Sequence, residues 1–155
     1  MPDLQAMLRA HPTQPAELDV IARCVAACVA CQQICLSCAD ACLAEQHIDR
    51  LRACIALDLD CADICGATAA VLLRFSRPGP QPAQAIVAAC AQACRSCAEE
   101  CRKHAQMHAH CRICAEACEA CHDACEDMLK GMRHAGESEK YARQPHTSHS
   151  AEGRA

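Results

Sequence analysis

The spacing of the cysteines constrains this chain more than any other feature. The 155 residues include 18 cysteines, and along the runs 24–42, 90–101 and 111–125 successive cysteines lie alternately four and three residues apart. An alternation of three and four repeats every seven residues, so it keeps the side chains on one face of an α-helix. Such faces are usually filled with leucine or isoleucine and pack against another helix. The chain is therefore expected to form helices that bring cysteine faces together.

Glycine and proline mark most of the predicted helix boundaries. HPTQP at 11–15 and SRPGPQP at 76–82 cannot continue a helix. No glycine or proline separates the last two helices, and their boundary is placed within 102–110 because one helix over 83–133 would be unusually long. These signals predict a short N-terminal helix within 1–12 and four long helices at about 14–46, 49–75, 83–105 and 108–133.

The remaining residues, 135–155, are polar and contain few apolar side chains. This composition predicts a disordered C-terminal tail, in which His146 and His149 are solvated.

All 18 cysteines fall within the four long helices, and their faces can be covered only by one another. The predicted fold is therefore all-α: an antiparallel four-helix bundle over 13–134 with thiols along its axis. In chain order, the cysteines of the four helices are Cys24, Cys28, Cys31, Cys35, Cys38 and Cys42; Cys54, Cys61 and Cys65; Cys90, Cys94, Cys97 and Cys101; and Cys111, Cys114, Cys118, Cys121 and Cys125.

Composition narrows the classes of function. The net charge is −4, the basic residues form no stripe, and aromatic residues make up 1% of the chain, which disfavours nucleic-acid binding. The N-terminal sequence shows no basic segment followed by an apolar run, and no apolar run is expected to span a membrane. We therefore expect a cytoplasmic protein. Because cytosolic thiols are kept reduced, the cysteines are expected to bind metal rather than form disulfides.

Thiolate chemistry limits the choice of metal. Thiolates are soft ligands that select Cu(I), zinc or iron–sulfur clusters. If each thiolate bridges two Cu(I) ions and each ion takes two thiolates, about one ion binds per cysteine and the core stays neutral. Zinc in sites of four cysteines would leave two negative charges per site. The sequence therefore favours many Cu(I) ions, and zinc or general soft-metal sequestration is the alternative.

Histidines and methionines gather near one predicted end of the bundle, beside the turns after the first and third long helices. Their place beside the last cysteines of each helix predicts a mouth through which Cu(I) is captured and passed to Cys42, Cys101 and Cys111. The predicted mouth residues are His47, His104, Met107, His108 and His110.

The opposite end is predicted to be an apolar plug. Its residues are Leu18, Ile21, Leu72, Phe75, Val87, Leu129 and Met132.

Four residues other than cysteine lie on or near the cysteine faces. Asp58 occupies a position where the second long helix should present a cysteine, and it is a candidate weak ligand or a partner of a protonated thiol. The alternative is that Leu57 turns inward in its place. Met128 continues the face of the fourth helix, as Met132 does, and both are expected to fill the core rather than bind copper. His122 falls off the face and is expected at the surface.

The three cysteine runs resemble those of the bacterial copper storage proteins. They read CxxxCxxCxxxCxxCxxxC at 24–42, CxxxCxxCxxxC at 90–101 and CxxCxxxCxxCxxxC at 111–125, and the likeness covers about 11–134. Without an export signal, the chain is similar to the cytosolic type. The resemblance implies a bundle with Cu(I) along its axis, a histidine-bearing mouth and a homotetramer. It also implies storage for copper enzymes, exchange with copper chaperones, and buffering against toxicity.

Other functions fit the sequence less well. Iron–sulfur ferredoxins hold their cluster with C-x₂-C-x₂-C-x₃-C-P in loops, and no cysteine here precedes proline. A disulfide-stapled helical protein would need an oxidising compartment. A cysteine enzyme needs one activated thiolate with an orienting partner, and 18 similar thiols single out none. The chain is therefore not expected to be an enzyme.

Overall fold

The computed structural model describes residues 3–76 and 81–143. Over these ranges the chain forms helices and turns, and the all-α prediction is confirmed. A short 3-10 helix, Ile48–Leu51, precedes the third α-helix. The α-helices are α1 (Leu4–Arg9), α2 (Leu18–Leu43), α3 (Arg52–Leu72), α4 (Gln81–His104) and α5 (Ala109–Ala142).

The four long helices, α2 to α5, form a closed ring. In the described part of the chain α2 contacts α3 and α5, and α4 likewise contacts α3 and α5, whereas the diagonal pairs do not touch through their backbones. The buried apolar residues form one cluster along the middle of this ring. This is a four-helix bundle, in which each helix turns its seven-residue face toward a common axis.

Helices α2 and α3 are shorter than predicted at both ends. Helix α2 begins at Leu18 rather than near residue 14, and its N-cap, Glu17, makes no side-chain capping bond. The second predicted helix begins with the 3-10 turn, whose Leu51 is buried. Packing of the buried Leu51 stabilises the 3-10 turn that precedes α3. No local sequence signal predicts this turn.

The turn between α4 and α5 falls within the predicted 102–110. The backbone N–H groups of Met107 and His108 both donate to the carbonyl oxygen of His104, at 3.1 and 2.9 Å. These bonds satisfy the last carbonyl of α4 without glycine or proline. The tight turn keeps the histidines of this segment close to the end of the bundle.

Helix α5 continues well past its predicted end at residue 133. It reaches Ala142, so the prediction of a disordered tail is wrong for residues 135–142. A Cβ atom at Gly136 would meet no other atom within 4 Å, so this glycine is not required by a close contact. The glycine weakens the helix by about 1 kcal/mol relative to alanine, which the following good helix formers tolerate. Residues 144–155, including His146 and His149, lie outside the described residues.

Helix α2 corrects one expectation about membranes. Its mean hydropathy over 18 residues is 1.7, and by length and composition it could cross a membrane, so the prediction that no run approaches a span is wrong for α2. Its cysteines face the bundle interior and are buried. The core helix of a bundle, when it is rich in cysteine and alanine, can reach the same length and mean hydropathy as a membrane-spanning helix. The hydropathy of α2 therefore does not by itself indicate a membrane helix.

Candidate metal centre

The cysteines form one buried column along the bundle. All 18 side chains are buried, all thiols are free, and 17 of the 18 have no exposed surface at all, while Cys38 has 1%. The spacing of three and four residues explains this placement, because each such residue returns to the same face of its helix. The four faces then meet along the axis, as the sequence predicted.

Sulfur contacts show that α2 and α5 run antiparallel. The Sγ–Sγ distances are 3.7 Å for Cys28–Cys121, 3.6 Å for Cys31–Cys118 and 3.7 Å for Cys35–Cys114. As residue numbers rise along α2, the numbers of the contacted residues fall along α5.

Helices α3 and α4 also run antiparallel. Cys54 contacts Cys101 at 3.5 Å, Cys61 contacts Cys94 at 3.7 Å, and Cys65 contacts Cys90 at 3.6 Å. The predicted antiparallel arrangement therefore follows from the thiol contacts of both helix pairs.

Thiols also meet across the diagonals of the bundle. Cys28 of α2 lies 3.8 Å from Cys90 of α4, and Cys65 of α3 lies 3.9 Å from Cys121 of α5. Because helices at opposite corners do not touch through their backbones, these side chains must reach the axis itself. The sulfur atoms thus replace the hydrocarbon that normally fills the centre of a bundle.

Many sets of four sulfur atoms lie close enough to share a metal ion, with all four within 4.8 Å of one another. Neighbouring sets have members in common, such as Cys121, Cys31, Cys35 and Cys118. Such sets include Cys28, Cys90, Cys121 and Cys125; Cys31, Cys65, Cys94 and Cys121; Cys31, Cys35, Cys61 and Cys118; Cys35, Cys97, Cys114 and Cys118; and Cys38, Cys42, Cys54 and Cys111.

The sulfur spacing already suits metal coordination. A metal–sulfur bond of about 2.3 Å places two thiolates ~3.8 Å apart in tetrahedral coordination and ~4.6 Å apart in linear coordination. The observed Sγ–Sγ contacts of 3.5–4.0 Å lie near the spacing of tetrahedral coordination. The helices therefore hold the thiols close to binding distance without the ion.

Asp58 lies inside the sulfur column. Its carboxylate is fully buried, and its Oδ1 accepts hydrogen bonds from the thiols of Cys97 at 3.0 Å, Cys114 at 3.3 Å and Cys101 at 3.4 Å. Its Oδ2 accepts from Cys54 at 3.8 Å. Of the two roles considered from the sequence, this geometry is that of a partner of protonated thiols.

Burial is the main influence on the protonation of Asp58, Cys42 and Cys111. It raises the pKa of Asp58 to about 8, with the nearby thiols adding to the rise and the hydrogen bond from Cys97 opposing it. Burial also raises the pKa of Cys42 to about 12 and raises that of Cys111. Since the charged forms of these groups lose hydration, the thiols of Cys42 and Cys111 keep their protons near neutral pH until a metal displaces them.

His110 connects the mouth to the thiols. Its Nδ1 lies 3.5 Å from the sulfur atoms of Cys38 and Cys111 and 3.9 Å from that of Cys42. Its ring is half-buried, with 24% of the side chain exposed. His110 is thus the mouth residue in direct contact with the column.

The other predicted mouth residues line a cavity at the same end of the bundle. His47, His104, Met107 and His108 line a cavity of about 380 Å³ at this end, together with Glu45 and Arg50. Met107 is 78% exposed, and His104 and His108 are half-buried.

Two carboxylates at the mouth were missed by the sequence analysis. Glu45 contacts His108 and His110, and Glu100 contacts His104. A signal for Glu45 was present, because it lies three residues after Cys42 and so continues the rhythm of the α2 face.

The opposite end is closed by apolar side chains. Ile21, Leu72, Val87 and Leu129 are buried there, whereas Leu18, Phe75 and Met132 are half-buried. Helix α1 packs beside α2, and the His11 ring lies 4.7 Å from the Phe75 ring. The chain therefore has a polar, histidine-lined end and a hydrocarbon end.

His122 is not at the surface as predicted. It is half-buried between α4 and α5, and its Nδ1–H donates to the carbonyl oxygen of Ala91 at 2.9 Å. This interhelical bond gives the ring a packing role, which its place beside the cysteine face did not reveal.

Comparisons with known proteins agree with this geometry. A family model described as copper storage protein matches residues 18–130. The copper storage protein Ccsp of Streptomyces lividans, solved with 10 copper equivalents, is 44% identical with a TM-score of 0.81, and the alignment covers 83% of this chain and 99% of that one. Another structure of a copper storage protein from this organism is described as cytosolic.

Further matches come from Bacillus subtilis. The Cu(I)-bound copper storage protein BsCsp3 is 38% identical with a TM-score of 0.62, over 68% of this chain and 94% of that one. The uncharacterized cysteine-rich protein YhjQ is 45% identical over 42 residues, 27% of this chain. That match spans about two fifths, 39%, of the length of YhjQ.

Proposed function

This chain belongs to the copper storage protein family, and from that premise we propose that it stores and buffers many Cu(I) ions on the thiolates of its bundle core. The observation that carries the proposal is the shared membership of the sulfur sets, because a sulfur atom common to two sets can bridge two ions. Bridging joins neighbouring ions into clusters along the axis. The proposed ligands are all 18 cysteines of the column.

Charge balance favours Cu(I) as the stored ion. A core with one Cu(I) per thiolate is neutral, so filling it requires no buried net charge. The proposed load is therefore on the order of one ion per cysteine, roughly eighteen.

The mouth supplies the proposed route for the ions. Cu(I) is captured by Met107, His104 and His108, which line the outer cavity. His110 then transfers it to Cys38, Cys42 and Cys111, whose sulfur atoms its Nδ1 contacts. Asp58 accepts hydrogen bonds from thiols in the metal-free protein and is not required as a ligand.

The second candidate is zinc or general soft-metal sequestration. Sets of four sulfur atoms within 4.8 Å match the donor set of structural zinc sites. Each zinc bound by four thiolates would place two negative charges in a core that, among the described residues, contains no buried lysine or arginine to balance them. This charge makes zinc the less favourable cargo.

Location, assembly and partners complete the proposal. A cytosolic location suits a protein whose thiols must stay reduced, and a similar Streptomyces protein is described as cytosolic. We also propose a homotetramer that exchanges copper with chaperones or copper enzymes. The tetramer rests on the family resemblance, and light scattering of the purified protein measures it.

Anaerobic titration of the fully reduced protein with Cu(I), in the presence of a competing Cu(I) chelator, tests the proposed function. The expected result is saturation at about eighteen ions, one per thiolate. Saturation after only a few equivalents would contradict storage. Repeating the titration with zinc present distinguishes the candidates, since displacement of bound Cu(I) by equimolar zinc would favour the zinc proposal.

A further inference from the structure

A single carboxylate holds two of the mouth histidines. The Oε1 atom of Glu45 lies 3.0 Å from Nδ1 of His108 and 3.1 Å from Nε2 of His110. Both ring N–H groups donate to this one oxygen, and the two ring centroids are 5.3 Å apart. These bonds lower the pKa of Glu45, the one from His110 most, so the carboxylate stays charged and acts as an acceptor.

Helix stability does not explain the position of Glu45. It follows the C-terminus of α2, where its backbone N–H donates to the carbonyl oxygen of Cys42. A negative charge near a helix C-terminus is unfavourable, because that end carries partial negative charge. Within the described residues, the side chains in contact with the Glu45 carboxylate are His108 and His110. The contacts of Glu45 with these two histidines therefore indicate a role at the mouth.

The hydrogen bonds determine which ring nitrogen of each histidine can bind a metal. In neutral imidazole one nitrogen carries the proton and the other has a free lone pair, and hydrogen-bond partners assign which is which. The proton of His110 is on Nε2, toward Glu45, so Nδ1 is free where it contacts the sulfur atoms of Cys38 and Cys111. For His108 the proton is on Nδ1, and Nε2 is free.

We propose that Glu45 is a positioning residue for copper loading, which fixes His108 and His110 in opposite tautomers on one oxygen. His108 then offers Nε2 to an incoming Cu(I), and His110 offers Nδ1 beside the first thiols. Carboxylates that hold ligand histidines in this way contribute about 10- to 100-fold to metal affinity or activity. This inference rests on the proposed copper function for its kinetic consequence, but not for the tautomers themselves.

Three variants test this role. Glu45→Leu removes the acceptor at similar size, whereas Glu45→Gln keeps an acceptor oxygen without the charge. Glu116→Leu is the control, because Glu116 is an exposed residue of α5 paired with Arg112, so its loss changes net charge equally.

The first readout is the ¹⁵N NMR spectrum of the ring nitrogens in the metal-free, reduced protein. His108 is the sensitive reporter, since an unconstrained histidine side chain prefers its proton on Nε2. The wild type and Glu116→Leu are expected to show His108 protonated on Nδ1. Glu45→Leu is expected to shift it to Nε2, and Glu45→Gln to retain part of the wild-type signal. An Nδ1 proton on His108 that persists in Glu45→Leu would overturn the proposal.

The second readout is the rate at which Cu(I) passes from a chelator to the protein, followed anaerobically by stopped flow. Glu45→Leu is expected to load about tenfold more slowly, with Glu45→Gln between it and the wild type. Total capacity should not change, because every thiol remains. Equal rates for Glu45→Leu and the wild type, or equal slowing in Glu116→Leu, would overturn the positioning role. Failure of the wild type itself to fill its core would instead contradict the storage function and leave the tautomer result standing.

Discussion

At the residue scale, Asp58 has the least usual environment in the molecule. Of the described residues it is the one buried member of the acidic and basic residue types, and thiols from α3, α4 and α5 donate to it. An isolated carboxylate would be costly to bury, and four thiol donors only partly replace water. The carboxyl group of Asp58 therefore keeps its proton at pH values well above those at which an exposed aspartate loses it.

The raised pKa of Asp58 gives stability a predictable dependence on pH. The folded pKa is about 8 against an ordinary 3.8, so between these values the folded protein holds a proton that the unfolded chain has released. The free energy of unfolding should therefore fall as pH rises from about 4 to about 8, by at most ~1.4 kcal/mol per pH unit from this group. Urea denaturation of the metal-free, reduced protein at several pH values measures the slope.

Asp58→Asn is the matched variant for that measurement. The amide keeps the shape and an acceptor oxygen but has no proton to release, so its slope over this range should be smaller and its stability near pH 8 higher than that of the wild type. An unchanged slope would mean that Asp58 is not the titrating group.

At the element scale, α5 differs most from its prediction. Its last cysteine is Cys125, yet the helix continues to Ala142 and passes through Gly136 without a break. Beyond the bundle, α5 lines a cavity of about 680 Å³ with the start of α2, including Ile21 and Met128. The extension therefore adds to the closed end of the bundle rather than to the sulfur column.

A proline at Gly136 tests this extension. Gly136→Pro removes a backbone donor in the helix interior and clashes with the preceding turn, at a cost of about 3 kcal/mol or more. Hydrogen exchange of the amides of residues 137–142 should then accelerate, while the copper capacity stays that of the wild type. Gly136→Ala is the control, and it should slow the same exchange because alanine is the better helix former. Fast exchange of these amides in the wild type would contradict a helix to Ala142.

At the scale of the whole molecule, the bundle combines an apolar metal-free core with a neutral filled core. A protonated thiol behaves as a small hydrophobic group, so the metal-free bundle can fold around its cysteines. Cu(I) replaces the thiol proton with an ion of the same charge. Filling the core therefore leaves its net charge unchanged.

Proton release tests this exchange. Burial keeps the thiols of Cys42 and Cys111 protonated, because it raises the pKa of both. Each Cu(I) bound should release about one proton across the titration, whereas each zinc bound by four thiolates would release up to about four. Anaerobic loading in weakly buffered solution, with alkali added to hold the pH, counts the protons. A value well below one per Cu(I) would show that the thiols were already ionised.

The cysteine spacing by itself determined the helical fold, the four-helix arrangement and the position of the thiols inside it. Seven-residue periodicity is a local property that depends on sequence separation alone, so it predicts faces before any contact is known. The runs beginning at Cys24, Cys90 and Cys111 identify three helices directly. The apolar residues at one end and the histidines at the other followed from their order along antiparallel helices.

The tertiary structure alone decided which atoms face each other. The contacts of Asp58 with thiols from three helices, the bond of His122 to Ala91 and the shared oxygen of Glu45 join residues distant in sequence. Their partners depend on helix rotation and on differences of a few ångströms, which periodicity does not specify. The length of α5 likewise depended on a balance of about 1 kcal/mol at Gly136, too small for a local sequence signal to predict.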